Sequence, residues 1–407
     1  MDIRIALVGM GGYGQGYAKE LLQASPDRCV RLVAGIDPAP ERCRLLPDFY
    51  RAAIPIFPNL QDFFAQDRAD LVVLSSPIHM HASQTCLALA HGANVLCEKP
   101  ICAVIQDARQ MAEAERQSGK FVAIGYQFSV TSAIHELKRD ILRGDFGQPK
   151  RLKTRILWPR MASYYHRNRW AGRIKSDSGE WVLDSPANNA MAHYLHNALY
   201  VLGKTPATSA RPISVQAELY RANPIENYDA TALRVVTEGN VEVLFYAAHT
   251  IPDEAHPVFC YEFEAATVEY TAYSECSLIA RFNNGSVRTY GDPTAPGAEW
   301  QKLWNCVDAI RSDKPVACGI EAASAHTRCI NGAQESTEIT TIPPEGVRQE
   351  PRGEADTLTW VVGLQETFLQ SYTQGCLPAD LGTFPWARAG KVVDLTQYDH
   401  FPNLSKS

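Results

Sequence analysis

The tripeptide Glu98-Lys99-Pro100 could carry out chemistry on an alcohol. It follows an apolar run over residues 94–97 that predicts a strand, so Lys99 would lie at the carboxyl edge of a sheet, where open α/β folds bind ligands. An ammonium group there can hydrogen-bond the hydroxyl being oxidised and favour the developing alkoxide. Pro100 has a fixed φ and restricts the preceding residue to extended conformations, which helps to orient Lys99. The alternative is a surface lysine in an ordinary turn.

A second group of polar side chains shares one predicted helix face. His193 lies four residues after Asn189 and three before His196, and Asp184 begins a cap in front of them. A neutral histidine can take a hydroxyl proton while hydride leaves the same carbon. His193 is therefore a candidate acid/base, with Asp184, Asn189 and His196 as candidate catalytic neighbours. The alternative is a pair of polar histidines satisfied at a domain boundary. No third His or Cys lies at ligand spacing, so no metal site is predicted.

The stretch Gly9-Met10-Gly11-Gly12-Tyr13-Gly14 predicts a cofactor. It stands between an apolar strand and a helical pattern, which is the setting of a G-x-G-x-x-G turn that binds a dinucleotide pyrophosphate. The next predicted strand ends at Asp37, 23 residues after Gly14, where a carboxylate can accept both ribose hydroxyls and repels a 2′-phosphate. The pattern favours NAD over NADP; the alternative is a glycine-rich turn with a solvated aspartate. The predicted contacts here are Gly9, Gly11, Gly12, Tyr13, Gly14 and Asp37.

A basic loop is the third candidate region. Residues 150–175 contain nine Lys or Arg and no acidic residue, with aromatic residues interleaved. Because the loop lies between a predicted strand and the His193 helix, it should border the substrate site. Its arginines could clamp a carboxylate, sulfonate or phosphate on a sugar while its aromatic rings stack on the sugar. The alternative is an interface or a solvated loop. The candidate residues are Arg160, Tyr165, Arg167, Arg169, Trp170 and Arg173.

The elements that would position these residues fall into two patterns. Through residue 124, strands alternate with helices, which predicts an α/β domain with a doubly wound parallel sheet, a Rossmann domain over residues 1–125. From residue 149, longer strands with period-two alternation predict an α+β domain over residues 126–407. Its large, open, mostly antiparallel sheet would bind substrate. Single strands are expected over residues 259–270 and 277–290, and a helix over 356–374.

Composition limits the partners. The 407 residues, 45% hydrophobic and 21% charged, suit two domains with full cores. A net charge of −6 argues against a nucleic-acid binder. The first predicted strand begins at Ile3, which leaves no room for a signal peptide, and no apolar run approaches the roughly 18 residues of a membrane span. A cytoplasmic protein without a membrane partner is therefore expected, with its eleven cysteines as free thiols.

Several segments together carry a family resemblance. Residues 88–100, ALAHGANVLCEKP, are close to a family signature that ends in Glu-Lys-Pro, and residues 76–81 resemble a Thr-Pro-x-x-x-His loop. Residues 125–127 and 141–149 look like the segments that lead into the second domain. On these motifs the chain resembles the Gfo/Idh/MocA oxidoreductases, the family of glucose–fructose oxidoreductase and inositol dehydrogenase. The match is strongest over the first 150 residues.

The resemblance implies roles for further residues. It makes Lys99 the first choice for a catalytic residue and implies an Asp-x-x-x-His pair at the start of a helix. Counting back from Leu202 gives Asn189 and His193 for this pair, whereas counting forward from Gly179 gives Asp184 for the aspartate, so an insertion is inferred. The resemblance also places Tyr126 at the substrate. At the cofactor it places Ser76, Pro77, His81, Glu98, Lys99 and Gln127.

The leading functional hypothesis is an NAD-dependent oxidoreductase that oxidises a secondary hydroxyl of a sugar, polyol or sugar derivative, including anionic ones. Some proteins of this resemblance keep NAD bound, oxidise a sugar carbon transiently and eliminate the glycosidic group, so an NAD-assisted glycoside hydrolase is the alternative. A catalytically silent NAD-binding sensor or assembly partner is a third hypothesis. The resemblance also implies a homodimer or homotetramer formed through the exposed face of the second sheet.

Overall fold

The computed structural model describes residues 2–273, 277–312, 314–353 and 355–402. The first part of the chain comprises β1 (Ile3–Val8), α1 (Gly14–Leu22), β2 (Val30–Ile36), α2 (Leu46–Arg51), β3 (Ile56–Phe57), α3 (Leu60–Phe64), β4 (Leu71–Leu74), α4 (His81–Ala90), β5 (Asn94–Cys97), α5 (Ile105–Ser118) and β6 (Val122–Ile124). Its six strands are all parallel, in the order β3-β2-β1-β4-β5-β6. This is the strand order of a Rossmann domain, so the predicted fold is confirmed.

The rest of the chain forms a second sheet with helices on both faces. It comprises α6 (Ser132–Arg143), β7 (Pro149–Leu157), α7 (Ala162–His166), α8 (Ala192–Val201), β8 (Pro212–Arg221), β9 (Ala230–Thr237), β10 (Glu242–Ala248), β11 (Ala255–Phe263), β12 (Ala266–Thr271), β13 (Leu278–Phe282), β14 (Val287–Gly291), α9 (Gln301–Ser312), α10 (Ile320–Ser336), β15 (Thr340–Thr341), β16 (Val347–Arg352), β17 (Asp356–Val361), α11 (Leu364–Gln374), α12 (Pro378–Leu381) and β18 (Val393–Asp394). The main order is β14-β13-β12-β11-β7-β10-β9-β8-β15, with β18 beside β8. Most neighbours are antiparallel, as predicted, whereas β10–β7 and β15–β8 are parallel.

The parallel strands are short and apolar because both faces of their sheet are covered. Alternate residues of β1 point to opposite sides: Ile5 packs in the core under α1, and Ala6 packs in the core on the other side. Helix α9, from the second half of the chain, joins the core under α1 through Leu303 and Val307. The proposed division at residue 125 therefore separates the two sheets, but α9 crosses it and packs on the first.

The second sheet has two differently covered faces. Its inner face packs with α8 and α10, and it includes Ala217 and Phe245. On the outer face, Leu244 and Tyr246 of β10 form a separate apolar core with Leu364 and Phe368 of α11. The chain's own C-terminal elements thus cover the outer face of this part of the sheet, although the sequence predicted an exposed face.

Three predicted elements are wrong in detail. Residues 259–270 form two antiparallel strands, β11 and β12, and residues 277–290 contain β13 and β14, whose connecting turn has Gly285 at a φ of +86°. The predicted helix over 356–374 begins instead as strand β17, paired with β16, and becomes helical only after Gly363 at a φ of +76°. Glycines in the left-handed region end the preceding element in both cases. Within the described ranges, no helix combines the length and apolar character that a membrane crossing requires.

Candidate active site

The glycine turn between β1 and α1 has a geometry that only glycine permits. Gly9 has a φ of +79°, and a Cβ there would lie 2.5 Å from the carbonyl oxygen of Ser75. A Cβ on Gly14 would lie 1.8 Å from the carbonyl oxygen of Gly9. At Gly12, by contrast, a Cβ would meet nothing within 4 Å, so this side of the turn is open. The turn therefore presents backbone N–H groups at the start of a nine-residue helix, the arrangement that binds pyrophosphate.

Asp37 lies directly beside this turn. Its Oδ2 accepts hydrogen bonds from the backbone N–H groups of Met10 at 2.8 Å and Gly11 at 3.4 Å, and its Oδ1 accepts one from Ala39 at 2.8 Å. These bonds fix the carboxylate, and Oδ1, which accepts one bond, keeps a lone pair that a ribose hydroxyl can use. Tyr13 is 49% exposed on the same turn. The residues present fit a dinucleotide with an unphosphorylated ribose.

His81 joins the loops that follow β4 and β5. Its Nδ1 lies 2.8 Å from the carbonyl oxygen of Pro100, and its Nε2 lies 2.9 Å from that of Ser76. The ring is almost fully buried, and burial lowers its pKa, so the neutral ring donates one of these bonds. The Ser76 hydroxyl donates to Oε1 of Gln84 at 2.5 Å, and Pro77 is half-buried beside it. The buried His81 ring therefore links the two loops, whereas Ser76 and Pro77 are partly exposed.

Lys99 contacts one residue of the His193 region directly. Its Nζ donates to the carbonyl oxygen of Asn189 at 2.6 Å and to the side-chain Oδ1 of Asn189 at 3.3 Å. Nδ2 of Asn189 donates to Oδ1 of Asp184 at 2.7 Å. The two residues that competed for one position in the sequence are thus linked, with Asn189 between Asp184 and Lys99. Burial lowers the pKa of Lys99 to about 8, although Glu98 and Asp184 oppose this change.

Asp184 is held by a strained turn. Leu183 has a φ of +50°, unusual for a bulky residue, and its carbonyl oxygen accepts a hydrogen bond from Nδ2 of Asn188 at 3.1 Å. The other carboxylate oxygen of Asp184, Oδ2, accepts from the N–H of Gly172 at 2.6 Å. Burial raises the pKa of Asp184, and the charge of Arg167 opposes this rise. These contacts leave Asp184 one direct role here, which is to orient Asn189.

His193 is half-buried just inside α8. The backbone N–H of Gln127 donates to its Nδ1 at 3.3 Å, so a neutral ring carries its proton on Nε2. Burial lowers the pKa of His193 well below its usual value, and the charge of Lys99 lowers it further. His193 can therefore donate a hydrogen bond through Nε2 but is a poor proton acceptor in this state. Gln127, predicted at the cofactor, positions this ring through its backbone.

Two predicted site residues lie in the core. His196 is fully buried, and its ring stacks on Tyr126 with centroids 3.8 Å apart and an interplanar angle of 15°. Its Nε2 lies 2.8 Å from the hydroxyl oxygen of Ser129. Tyr126 is itself fully buried, and its ring is nearly perpendicular to that of His193, with the centroids 6.0 Å apart. The structure does not bring His196 or Tyr126 to an accessible site, because α8 is buried on the side where His196 lies.

Two arginines of the basic loop lie near the ring of Tyr164, and their guanidinium groups donate to backbone carbonyl oxygens, Arg160 to Pro159 and Arg167 to Tyr164. The guanidinium of Arg167 lies 3.6 Å from the ring centroid of Tyr164, and that of Arg160 lies 5.2 Å from the same ring. Neither forms an ion pair with a described carboxylate, and Nε of Arg160 is buried without a hydrogen-bond partner there. Arg173, by contrast, is paired with Asp177 and Glu226.

The remaining predicted residues of this loop differ in exposure. The Tyr165 hydroxyl is buried without a hydrogen-bond partner among the described residues, and Trp170 is half-buried against the core. Arg169 is exposed, and its carbonyl oxygen accepts a hydrogen bond from the guanidinium of Arg173 at 3.4 Å. The charge of Arg167 lowers the pKa of both Lys99 and Asp184, so Arg167 is the arginine of this loop that we select as the candidate anion-binding residue.

The sequence reasoning missed two residues around Glu98. Lys302 of α9 forms a buried ion pair with Oε1 of Glu98, and the Tyr17 hydroxyl donates to the same oxygen at 2.6 Å. Lys302 shares a helix face with the buried residues Cys306 and Ala309. The one sequence feature that could have identified Lys302 is its position, as a charged residue, on the apolar face of a predicted helix.

A Rossmann sheet, a glycine turn with Asp37 and a half-buried lysine that contacts Asn189 are features of a dinucleotide-binding protein. Residues 3–126 match the family model described as an oxidoreductase family with an NAD-binding Rossmann fold, Gfo/Idh/MocA. The match covers the first part of the chain, which contains the six parallel strands.

Among curated proteins, the chain is 25% identical over 205 residues to the inositol 2-dehydrogenase of Burkholderia multivorans, covering 50% of this chain and 56% of that protein. The chain thus spans about half the length of the curated relatives it matches. The WlbA dehydrogenase of Bordetella pertussis, solved with NADH and UDP-GlcNAcA, has a TM-score of 0.68 at 21% identity, covering 83% of this chain and 98% of that one. UDP-N-acetylglucosamine 3-dehydrogenase of Acidithiobacillus ferrooxidans has a TM-score of 0.65 at 17% identity, covering 82% and 97%. These structures show that the fold is shared.

Proposed function

We propose that this protein is an NAD-dependent oxidoreductase that oxidises a secondary alcohol of a sugar, a polyol or an anionic sugar derivative, taking hydride from the carbon that bears the hydroxyl. The observation that carries the proposal is the Lys99 amine, held by Asn189 at the carboxyl edge of a sheet whose first turn fits a dinucleotide. The relatives named dehydrogenases and the structural neighbours solved with NADH support it. Gly9 to Gly14 and Asp37 would hold the cofactor, which supplies a hydride acceptor when bound.

Lys99 is the proton acceptor in this proposal. With a pKa of about 8, an appreciable fraction of its amine is neutral near physiological pH. A neutral amine has two N–H groups, which match the two oxygens of Asn189, and one lone pair that points away from both. The substrate hydroxyl can donate its proton to this lone pair. Loss of that proton to Nζ and of hydride from the carbon leaves a ketone.

His193 has the complementary role of a donor. Because its Nδ1 accepts from Gln127, its Nε2–H can hydrogen-bond the substrate oxygen and stabilise the negative charge that develops there. This assignment differs from the sequence-based hypothesis, in which His193 took the proton. Asn189, oriented by Asp184, keeps the Lys99 side chain in place.

A panel of sugars tests the proposal. Purified protein is mixed with NAD and with inositols, hexoses, uronates and sugar phosphates, and NADH formation is followed by absorbance together with ketone formation by mass spectrometry. We expect one NADH per ketone with at least one class of substrate. Glycoside cleavage without net NADH, or no NADH with any class, would contradict the dehydrogenase.

Replacing Arg167 by methionine should raise KM for an anionic sugar about 10- to 100-fold, because a charge-assisted hydrogen bond contributes about 1.5–3 kcal/mol. KM for the matching neutral sugar should stay close to the wild-type value. Arg116→Met, which removes an exposed arginine paired with Glu113 on α5, is the matched control. Equal KM changes for the anionic and the neutral sugar would show that Arg167 does not bind the anion.

The assembly is expected to be a homodimer or homotetramer through the part of the second sheet that the C-terminal elements leave open. Its outer face carries Val258, Cys260 and Ile279, all half-buried, around a cavity of about 370 Å³. Light scattering should give two or four times the mass of one chain, and Ile279→Arg should lower it because a charge would be buried at the contact. The mass of a single chain for the wild type would refute this prediction.

A further inference from the structure

Lys302 connects α9 to both functional loops of the first domain. It is 2% exposed, and its Nζ contacts Oε1 of Glu98 and donates to the hydroxyl oxygen of Tyr13 at 3.1 Å. The same ammonium lies 4.6 Å from the ring centroid of Tyr13 and 5.4 Å from that of Tyr17. One buried cation thus touches the glycine turn through Tyr13 and the Lys99 loop through Glu98.

Glu98 is a tightly enclosed anion. It is 7% exposed, and Gly125 packs so closely that a Cβ there would lie 2.9 Å from Oε1. Its Oε2 accepts the backbone N–H of Lys99 at 3.2 Å. The pKa of Glu98 is lowered, mainly by Lys302 against the opposing effect of burial, and the pKa of Lys302 is raised by Glu98. Both members of the pair are therefore charged, and Glu98 holds the Lys99 backbone by a charge-assisted hydrogen bond.

We propose that Lys302 is a positioning residue for Lys99: through its ion pair with Glu98 it fixes the Lys99 backbone and neutralises the carboxylate that would otherwise act as the counter-charge of the Lys99 ammonium. This inference rests on the proposed function, in which the neutral amine of Lys99 accepts the hydroxyl proton. It assigns a role in the reaction to a helix that begins 202 residues beyond Lys99 in the sequence.

The charges around Lys99 determine in which direction each substitution should shift its pKa. Glu98 and Asp184 favour the ammonium form of Lys99, whereas Lys302 and Arg167 disfavour it, and the nearby His193 is neutral. Burial also disfavours the ammonium form. If the Lys302 charge is removed, the negative charge of Glu98 is no longer balanced by Lys302. The ammonium form of Lys99 then becomes more stable, and the pKa of Lys99 rises. If the Glu98 charge is removed instead, the ammonium becomes less stable.

Two substitutions should therefore shift the pH profile in opposite directions. Oxidation requires neutral Lys99, so kcat/KM falls as pH drops through the Lys99 pKa. Lys302→Gln should move this acidic limb about one unit to higher pH, and Glu98→Gln about one unit to lower pH, as expected for charges at this range. The double variant Glu98→Gln/Lys302→Gln should return the limb close to its wild-type position. Lys204→Gln, an exposed lysine 76% accessible and paired with Glu238, is the control.

A second readout does not depend on turnover. The pH dependence of Lys99 acetylation by acetic anhydride, located by peptide mass spectrometry, reports the pKa of its amine directly. Lys302→Gln leaves a buried carboxylate unpaired and can prevent folding; the comparison of Glu98→Gln with the double variant then tests the same point. Absence of NAD-dependent turnover with a normal acetylation profile would refute the proposed function alone. Unmoved acetylation profiles, or shifts of the same sign, in folded variants would overturn the role of Lys302.

Discussion

Replacing Lys99 by methionine should lower kcat/KM for sugar oxidation about 10²- to 10⁴-fold, the range of a lost general base. Methionine has a similar length and no proton-accepting amine, so the loss reflects chemistry more than packing. The two hydrogen bonds from Nζ to Asn189 disappear as well, which removes the group that keeps the loop after β5 beside α8. Steady-state kinetics with the best sugar of the panel and NAD measures this change.

NAD affinity should change little in the Lys99→Met variant, because the predicted cofactor contacts lie in the turn after β1 and at Asp37. Calorimetry with NAD checks this point, and Lys204→Met gives the control for loss of a lysine at a distant exposed site. Wild-type turnover in a folded Lys99→Met variant would remove Lys99 from the reaction. Such a result would favour a binding protein whose function does not need the amine.

Gly14→Ala should reduce NAD affinity by at least about 10-fold and also lower the melting temperature. The new Cβ would lie 1.8 Å from the carbonyl oxygen of Gly9, a backbone atom that cannot turn aside. The turn would have to open, and the N–H groups at the start of α1 would no longer converge on one anion. Calorimetry on cofactor-stripped protein measures the affinity, and thermal unfolding measures the stability.

Gly239→Ala is the matched control for this change. Gly239 lies in a turn after β9, and a Cβ there would meet its closest atom at 3.8 Å, an ordinary contact. We expect its NAD affinity and melting temperature to stay near the wild-type values. If Gly14→Ala binds NAD as tightly as Gly239→Ala does, the turn after β1 is not the dinucleotide site.

The first domain could be predicted from the sequence because its signals are local. An apolar strand, a glycine turn and a helix occupy consecutive residues at the start of the chain, and the parallel strand order follows from the alternation that comes after. Gly9 and Gly14 illustrate this. Glycine was expected at both positions because the backbone is crowded there, and in the structure a Cβ on either residue would lie less than 3 Å from a carbonyl oxygen. The same local logic led to the half-buried Lys99, at the end of a strand whose bounds were predicted correctly.

The failures share a dependence on distant parts of the chain. The spacing of His193 and His196 places both on one helix face and does not distinguish them. The stacking of His196 on Tyr126 in the structure shows that His196 belongs to the core. Residues 356–361 are the exception: a helix was expected there, and the segment instead forms a hairpin with the adjacent strand β16. Lys302 contacts Glu98 because α9, from the second half of the chain, packs against the first sheet.

The choice between Asp184 and Asn189 could not be made from spacing alone. The two ways of counting give different residues, and both of these residues belong to one chain of hydrogen bonds that ends at Lys99. The positive φ of Leu183, which lets the chain fold back so that Asp184 reaches Asn189, has no signature in the residue types.

The most direct test of the account follows the transferred hydride. A sugar that the panel identifies as a substrate is prepared with deuterium at its carbinol carbons and incubated with unlabelled NAD. The mass of the NADH that forms is then measured by mass spectrometry. We expect one deuterium in each reduced cofactor for each ketone formed, and almost none with Lys99→Met over the same time. Product formed with no label in the free cofactor would contradict it.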